Sequence, residues 1–331
     1  MKVIFCICCL VKRDHQTGKG PQGRKARGAE AQGWPATKDK HKDQDMTLPL
    51  EDVTWIHGAA NCAHSADLLI QVHEYDADTF VLRVSKCFSY EGNFIYLLFG
   101  DSKAVMFDTG GLPSPDNPFN HGKTLPVRQT VDAVIAQRRA KLGGGGDVDL
   151  IVAHTHSHLD HAAWDDQFSG RPRTTVVSTA LDGVKSFFGL PNWPAGEATL
   201  ELGNRRLTVF PIPGHEAAHI AVYDPRNKWL LTGDTLYAGL LTIADWHAYR
   251  ASAARLAHFA DQYEISAVLG THIEMKNVPR QLYDIGTTFQ PQEHVLPLTA
   301  AHVQELHLAC EAMAGHPRHD VHDDFIIGAL P

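Results

Sequence analysis

Six consecutive residues, His156-Ser157-His158-Leu159-Asp160-His161, gather three imidazoles and a carboxylate just past an apolar run at 148–153. Alternate residues of an extended segment point the same way, so His156 and His158 can share one ion. After the chain turns, Asp160 and His161 can reach a second. Imidazole nitrogen suits zinc, and a carboxylate oxygen completes a hydrolytic site that leaves one position for water. A lone histidine in such a loop is simply a solvated polar residue; three with an aspartate at this spacing argue for ligation.

Other residues of this kind recur at the ends of apolar runs. Pro213-Gly214-His215 comes 59 residues after His156, and Thr232-Gly233-Asp234-Thr235 and Gly270-Thr271-His272 follow it. Phe107-Asp108-Thr109-Gly110 precedes the cluster. Tyr237, three residues past Asp234, is a candidate donor to a substrate oxygen, with packing as its plainer role. His154 reads as support for the cluster or for the fold, and His219 as support for a strand. His316, His319 and His322 read as a solvated tail cluster. Trp193, Trp246 and Phe188 either line a pocket or, by default, pack the core.

These residues need strands to carry them to one place. Residues 79–84, 94–99 and 104–107 are β-branched and aromatic runs separated by turn residues, with a hairpin turn at 100–102. Apolar residues at 127, 131, 134, 135 and 142 have helical spacing, and the glycines at 143–146 end that helix. Further strands are expected at 148–153, 174–178, 199–202, 207–212, 219–223, 229–232 and 267–269, with an edge strand at 325–327. Helices are expected at 180–188, 246–263 and 299–314. Early hairpins followed by strand–helix alternation, in two halves of similar order, point to layered sheets flanked by helices.

From residue 79 to His272 the chain resembles the metallo-β-lactamase superfamily, whose signature is His-x-His-x-Asp-His. The resemblance implies an α/β (α+β) fold, a four-layer αββα sandwich. It implies two divalent metal ions, zinc first, with iron or manganese as alternatives. One is held by His156, His158 and His215, the other by Asp160, His161 and His272, with Asp234 between them and Asp108 supporting from behind. It further implies a hydrolase cleaving a carboxylic ester, lactone or thioester by a metal-bound hydroxide that Asp160 orients, with Tyr237 as a second catalytic candidate. Asp234 counts against a true β-lactamase, which generally lacks it, and His158 against flavin-linked di-iron members, which carry Glu there. Neither an inserted domain nor an exosite arm of the nuclease members is evident. The segment from Gly233 to Tyr237 is similar to the glyoxalase II type, but the basic residues after His272 reduce to Lys276, Arg280 and Arg318. Lactonases share the seven ligands. A mononuclear iron dioxygenase acting on persulfides and a non-catalytic binding module are the readings from other classes.

Composition narrows the partners. The chain has 331 residues, 44% hydrophobic and 21% charged, values of an ordinary globular protein, with 21 histidines against six cysteines. Residues 1–45 hold ten Lys or Arg and five Asp or Glu, about +5, which leaves about −13 on the remainder of a chain whose net charge is −8. An acidic main domain argues for a small-molecule substrate and against nucleic acid. No run approaches the roughly 20 apolar residues of a membrane span. Residues 1–45 read as a disordered leader or an extension ahead of Met46, and residues 46–331 as the folded domain with a C-terminal helical segment. The apolar start at residues 3–11 is similar to a short signal core without a clear cleavage site, so a cytoplasmic location is expected and export stays open. The cysteines read as unpaired thiols, with Cys62 and Cys87 as the one pair that could join.

Overall fold

The computed structural model describes residues 48–115, 122–144 and 147–329, and Leu48–Pro331 is one compact unit. The leader expected at 1–45, and the signal-like start within it, lie outside the described residues. Strands β1 (Ile70–Asp76), β2 (Thr79–Val84), β3 (Phe94–Phe99), β4 (Lys103–Phe107), β5 (Asp149–Ala153) and β6 (Thr174–Val176) form a first sheet in that order. β1 to β4 pair antiparallel, and β4, β5 and β6 run parallel. Strands β7 (Ala198–Glu201), β8 (Arg206–Pro211), β9 (Ile220–Asp224), β10 (Trp229–Gly233), β12 (Ala267–Gly270) and β13 (Pro297–Leu298) form a second, in the order β13-β12-β10-β9-β8-β7. The short strands β11 (Leu240–Ile243), β14 (His319–Val321) and β15 (Ile326–Ala329) make a third sheet, with β15 in the middle.

The apolar runs are continuous because most strands of the two large sheets are buried on both faces. In β3, Phe94, Tyr96 and Leu98 point between the sheets, where they meet Leu207, Val209, Val222, Trp229 and Leu231. Ile95, Leu97 and Phe99 point the other way, against Val127, Val131 and Val134 of helix α1 (Val127–Lys141). On the far side, Phe210, Tyr223, Leu230 and Val268 pack against helices α4 (Trp246–Gln262) and α5 (Ala300–Met313) through Tyr249, Leu256, Val303 and Leu306. Helix, sheet, sheet, helix is the expected four-layer order. The remaining helices, α2 (Leu159–Ala162) and α3 (Leu181–Phe188), are short.

Local signals set the helix ends. Asp245 caps α4 by accepting from the Ala248 N–H at 3.0 Å, and Thr299 and His302 form a reciprocal cap on α5. α1 ends where Gly143 and Gly144 take φ of +75° and +85°, a region glycine enters freely. Sheet strands β1, β11, β13 and β14 were not anticipated. β1 is an edge strand of mixed polarity, half-buried over most of its length.

One expectation about the cysteines is overturned. Cys62 and Cys87 form a disulfide, with their Cα atoms 5.3 Å apart, while Cys310 is a buried free thiol. The bond ties the segment before β1 to the loop 85–93, which joins β2 to β3. Nor is the tail histidine cluster uniformly solvated. His322 Nδ1 lies 2.7 Å from Glu305 Oε1 on α5, and its ring stacks on Phe325. His316 and His319 are exposed. Among the described residues no helix is long and apolar enough to cross a membrane.

Candidate metal centre

The strand order delivers the candidate residues to one edge. β4 and β5 run parallel with Phe107 opposite Ala153, so Asp108 and the segment 154–161 leave the first sheet side by side. β10 and β12 run parallel with Gly233 opposite Gly270, so Asp234 and His272 leave the second sheet together. β8 runs the same way and sends His215 beside them. The structure brings all seven expected residues together as two adjoining sets: His156, His158 and His215; and Asp160, His161, Asp234 and His272.

Hydrogen-bond partners fix which face each imidazole turns to the cluster. His215 Nδ1 donates to the Thr242 carbonyl at 2.7 Å, and His272 Nδ1 to the Glu91 carbonyl at 3.1 Å. His161 Nδ1 donates to Asp108 Oδ2 at 3.0 Å. Carbonyl and carboxylate oxygens only accept, so each Nδ1 carries the proton and each Nε2 presents a lone pair. Those lone pairs converge. His215 Nε2 lies 3.0 Å from His158 Nδ1 and 3.2 Å from His156 Nε2, and His156 Nε2 lies 3.0 Å from His158 Nδ1. His161 Nε2 is buried and faces the carboxylates of Asp160 and Asp234. Nitrogens gathered this closely could share a cation, and the mixed nitrogen and carboxylate donor set fits a borderline divalent ion.

Asp234 sits between the two sets. Its Oδ2 lies 3.6 Å from His215 Nε2 and 3.4 Å from His161 Nε2, and its Oδ1 3.3 Å from His272 Nε2. Asp160 Oδ2 lies 3.0 Å from His161 Nε2 and 3.4 Å from His272 Nε2. Burial alone would raise both carboxyl pKa values, but the neighbouring imidazoles outweigh it and hold both below the usual range. Burial likewise opposes charge on His161 and His272, and the facing carboxylates override it and push both well up. A cation between them would supply the positive charge that these two rings otherwise take as protons. His156 and His158 are pushed down, first by burial and then by neighbouring imidazoles, so they stay neutral donors.

A supporting shell lies behind the cluster. Asp108, at φ +72°, accepts from the Thr155 N–H at 2.8 Å and Thr155 Oγ1 at 3.0 Å as well as from His161. His154 contributes from behind, its Nε2 2.8 Å from Asp165 Oδ1, which also accepts from Thr109 Oγ1. His219 stacks on His156 at 4.7 Å with the planes 7° apart. Sequence reasoning missed Thr271, whose hydroxyl donates to Asp234, and Asn93, whose amide lies 3.5 Å from Asp160 Oδ2. It also missed Glu91, whose carboxyl is raised to about 7 chiefly by burial, with Asp160 and Glu274 adding to the rise and His272 opposing it.

Tyr237 lies beside the cluster with its hydroxyl turned to protein acceptors. Its ring lies 5.5 Å from His272, but its hydroxyl is committed to the Leu240 carbonyl at 2.9 Å and Glu274 Oε2 at 3.1 Å. Burial and Glu274 push its pKa well up, so the phenol keeps its proton and braces this corner. Phe188 and Trp193 pack in the core between the sheets. Trp246 lines an open cavity of about 570 Å³ at the α4 and α5 ends with Arg250 and Pro317. The basic residues after His272 are engaged elsewhere: Lys276 lies over the Tyr283 ring and Arg280 pairs with Asp323.

The family model described as the metallo-beta-lactamase superfamily matches residues 91–272. The chain is 26% identical over 180 residues to the acyl-coenzyme A thioesterase MBLAC2 of Gallus gallus, covering 44% of this chain and 64% of that protein. It is 33% identical over 115 residues to the hydroxyacylglutathione hydrolase of Synechococcus sp. (strain JA-3-3Ab), covering 34% of this chain and 44% of that protein. The chain therefore spans less than two thirds of these relatives' length. The solved DIM-1 metallo-beta-lactamase exposed to ceftazidime aligns with a TM-score of 0.47 at 14% identity, over 76% of this chain and 100% of that one.

Proposed function

The chain belongs to the metallo-β-lactamase superfamily, and we propose that it is a hydrolase of a carboxylic thioester, ester or lactone that works with two divalent cations, zinc by donor chemistry. The observation that carries this is the convergence of five imidazoles, three of which, His161, His215 and His272, have their protons turned outward to acceptor-only oxygens. His156, His158 and His215 would hold one ion, Asp160, His161 and His272 the other, and Asp234 both. Ions bound there would lower the pKa of a water toward ~7 and stabilise negative charge on a substrate oxygen. The chain's own groups do the rest. Asp160, partly open to solvent, offers an acceptor that would orient the attacking water. Asp108, Thr242 and Glu91 keep the His161, His215 and His272 protons pointed away from the site. The thioester end of the range is favoured because one of the relatives is named a thioesterase. The paucity of free basic side chains after His272 argues against a glutathione carrier.

The test is to load the protein with zinc and offer thioesters, esters and lactones in an oxygen-free chamber, with metal per chain measured on the same sample. Turnover there, with solvent oxygen in the product, is expected. Activity seen only with one iron per chain and dioxygen would replace the hydrolase by a persulfide dioxygenase.

A further inference from the structure

His219 is fully buried, lies outside the seven candidate ligands, and touches three of them. Its ring is parallel to His156 and edge-on to His215, with centroids 4.7 Å and 5.8 Å away. Its Nε2 lies 3.2 Å from the backbone nitrogen of Asp234. That N–H belongs to the first residue beyond β10, where the chain leaves the sheet and no strand partner can accept from it. Gly233, at φ +50°, makes this approach feasible: a Cβ there would fall 2.6 Å from His219 Cε1. A backbone N–H can only donate, so Nε2 must be the unprotonated nitrogen of His219 and Nδ1 the protonated one. His219 Nδ1 itself has no hydrogen-bond partner among the described residues. The ring is therefore held here by its packing and by a single directed bond to the backbone of Asp234.

We infer that His219 is a positioning residue that sets the bridging carboxylate: by accepting the Asp234 N–H it fixes where that side chain starts, and so how it is shared between the two ions. The carboxylate end is fixed separately, by the Thr271 hydroxyl on Oδ1. Two anchors on one side chain, one at the backbone and one at the tip, leave Oδ2 aimed between the two sets of imidazoles. Without the backbone anchor, Asp234 can follow Thr271 toward the second set, and the sharing is lost. His219 is thus distinct from a ligand, since its only unprotonated nitrogen is already in use. It is also distinct from simple filler, since the directed bond demands an acceptor at one place.

Two substitutions separate the bond from the packing. His219→Gln places a carbonyl oxygen where Nε2 was and removes the ring. His219→Phe keeps an aromatic ring against His156 and removes the acceptor. Zinc per chain and stepwise dissociation constants, measured by competition with a chromophoric chelator, are the readout, with cobalt absorption spectra as a second view of the site. Loss of a supporting partner of this kind weakens metal affinity by about 10- to 100-fold. That loss is expected in H219F for the ion less tightly held, with H219Q within a few-fold of the parent. If H219F does not fold, H219L, without ring or acceptor, takes its place against H219Q. Equal retention in the Gln and acceptor-less variants, equal loss in both, or loss only in H219Q would each overturn the assignment. Any of those results leaves the hydrolase reading standing, because the seven ligands are unchanged.

Discussion

In an Asp108→Asn variant the side chain keeps its shape and exchanges one acceptor oxygen for an NH2 donor. Both oxygens of Asp108 already receive N–H donors, Oδ1 from Thr155 N and Oδ2 from His161 Nδ1. Whichever way the new amide turns, its NH2 meets one of them. Facing Thr155, it leaves a buried backbone N–H without an acceptor. Facing His161, it forces that ring to move its proton to Nε2, the atom aimed at the cluster. The backbone does not confuse the outcome, because Asn tolerates the φ of +72° as well as Asp does. Losing a bond to a charged acceptor and stranding a buried donor should destabilise the metal-stripped protein by about 2–4 kcal/mol. The tautomer change should weaken the ion shared by Asp160, His161 and His272 by about 10- to 100-fold and spare the other. Urea denaturation of the stripped protein gives the first number, and chelator competition with metal counting gives the second. Two ions per chain at parental affinity, with a stability loss under about 0.5 kcal/mol, would refute the tautomer argument.

Asp234→Ala should lose metal at both positions and activity with it, since two cations would face each other with less compensating charge; full double occupancy would show that it does not bridge. The pH dependence should differ in sign between stripped and loaded protein. In the stripped protein, the raised His161 and His272 stabilise below ~6.5 and lose that contribution as pH rises through their folded pKa values, while the depressed Asp160 and Asp234 stabilise above ~3.8 and lose theirs in acid. The depressed His156 and His158 cost stability as pH falls below ~6.5, so the melting temperature of the stripped protein should peak near ~6.5; zinc needs neutral imidazoles, so the loaded-minus-stripped difference should widen from pH 6 to 9. A constant difference across that range would contradict the charge assignment. Cys62→Ser opens a link spanning 25 residues and should cost about 3 kcal/mol, abolishing any effect of reductant on melting; reductant sensitivity that persists would place the effect elsewhere.

The parts legible in the sequence are those in which side-chain type carries the physics. The run Phe94 to Phe99 is apolar on both parities because both faces are covered, so strand and burial could be read together. The candidate ligands could be read because three imidazoles and a carboxylate fall within six residues after an apolar run, and the others likewise follow apolar runs. β1 escaped because an edge strand carrying Gln71, His73 and Glu74 shows little apolar contrast. The acceptors that set the tautomers of His215 and His272 escaped for a deeper reason: they are the carbonyls of Thr242 and Glu91, and a carbonyl has no residue identity. Tyr237 was legible in its proximity to His272 but not in its hydroxyl direction, which depends on Glu274, a residue 37 positions away.

Each candidate ion would be held from both sheets. His156 and His158 follow β5 of the first, and His215 follows β8 of the second; Asp160 and His161 face Asp234 and His272 across the same divide. Neither sheet alone offers a full set of donors, so an ion works as a tie-bolt through the sandwich. Metal affinity then becomes a gauge of how well the halves are seated. Trimming Leu98 or Leu231, deep in the seam and not among the seven ligands, should show up as faster zinc loss even where each ligand keeps its own hydrogen bonds. Conversely, zinc should slow hydrogen exchange along β3 and β10, reporting a mechanical linkage between chemistry at the rim and packing at the centre.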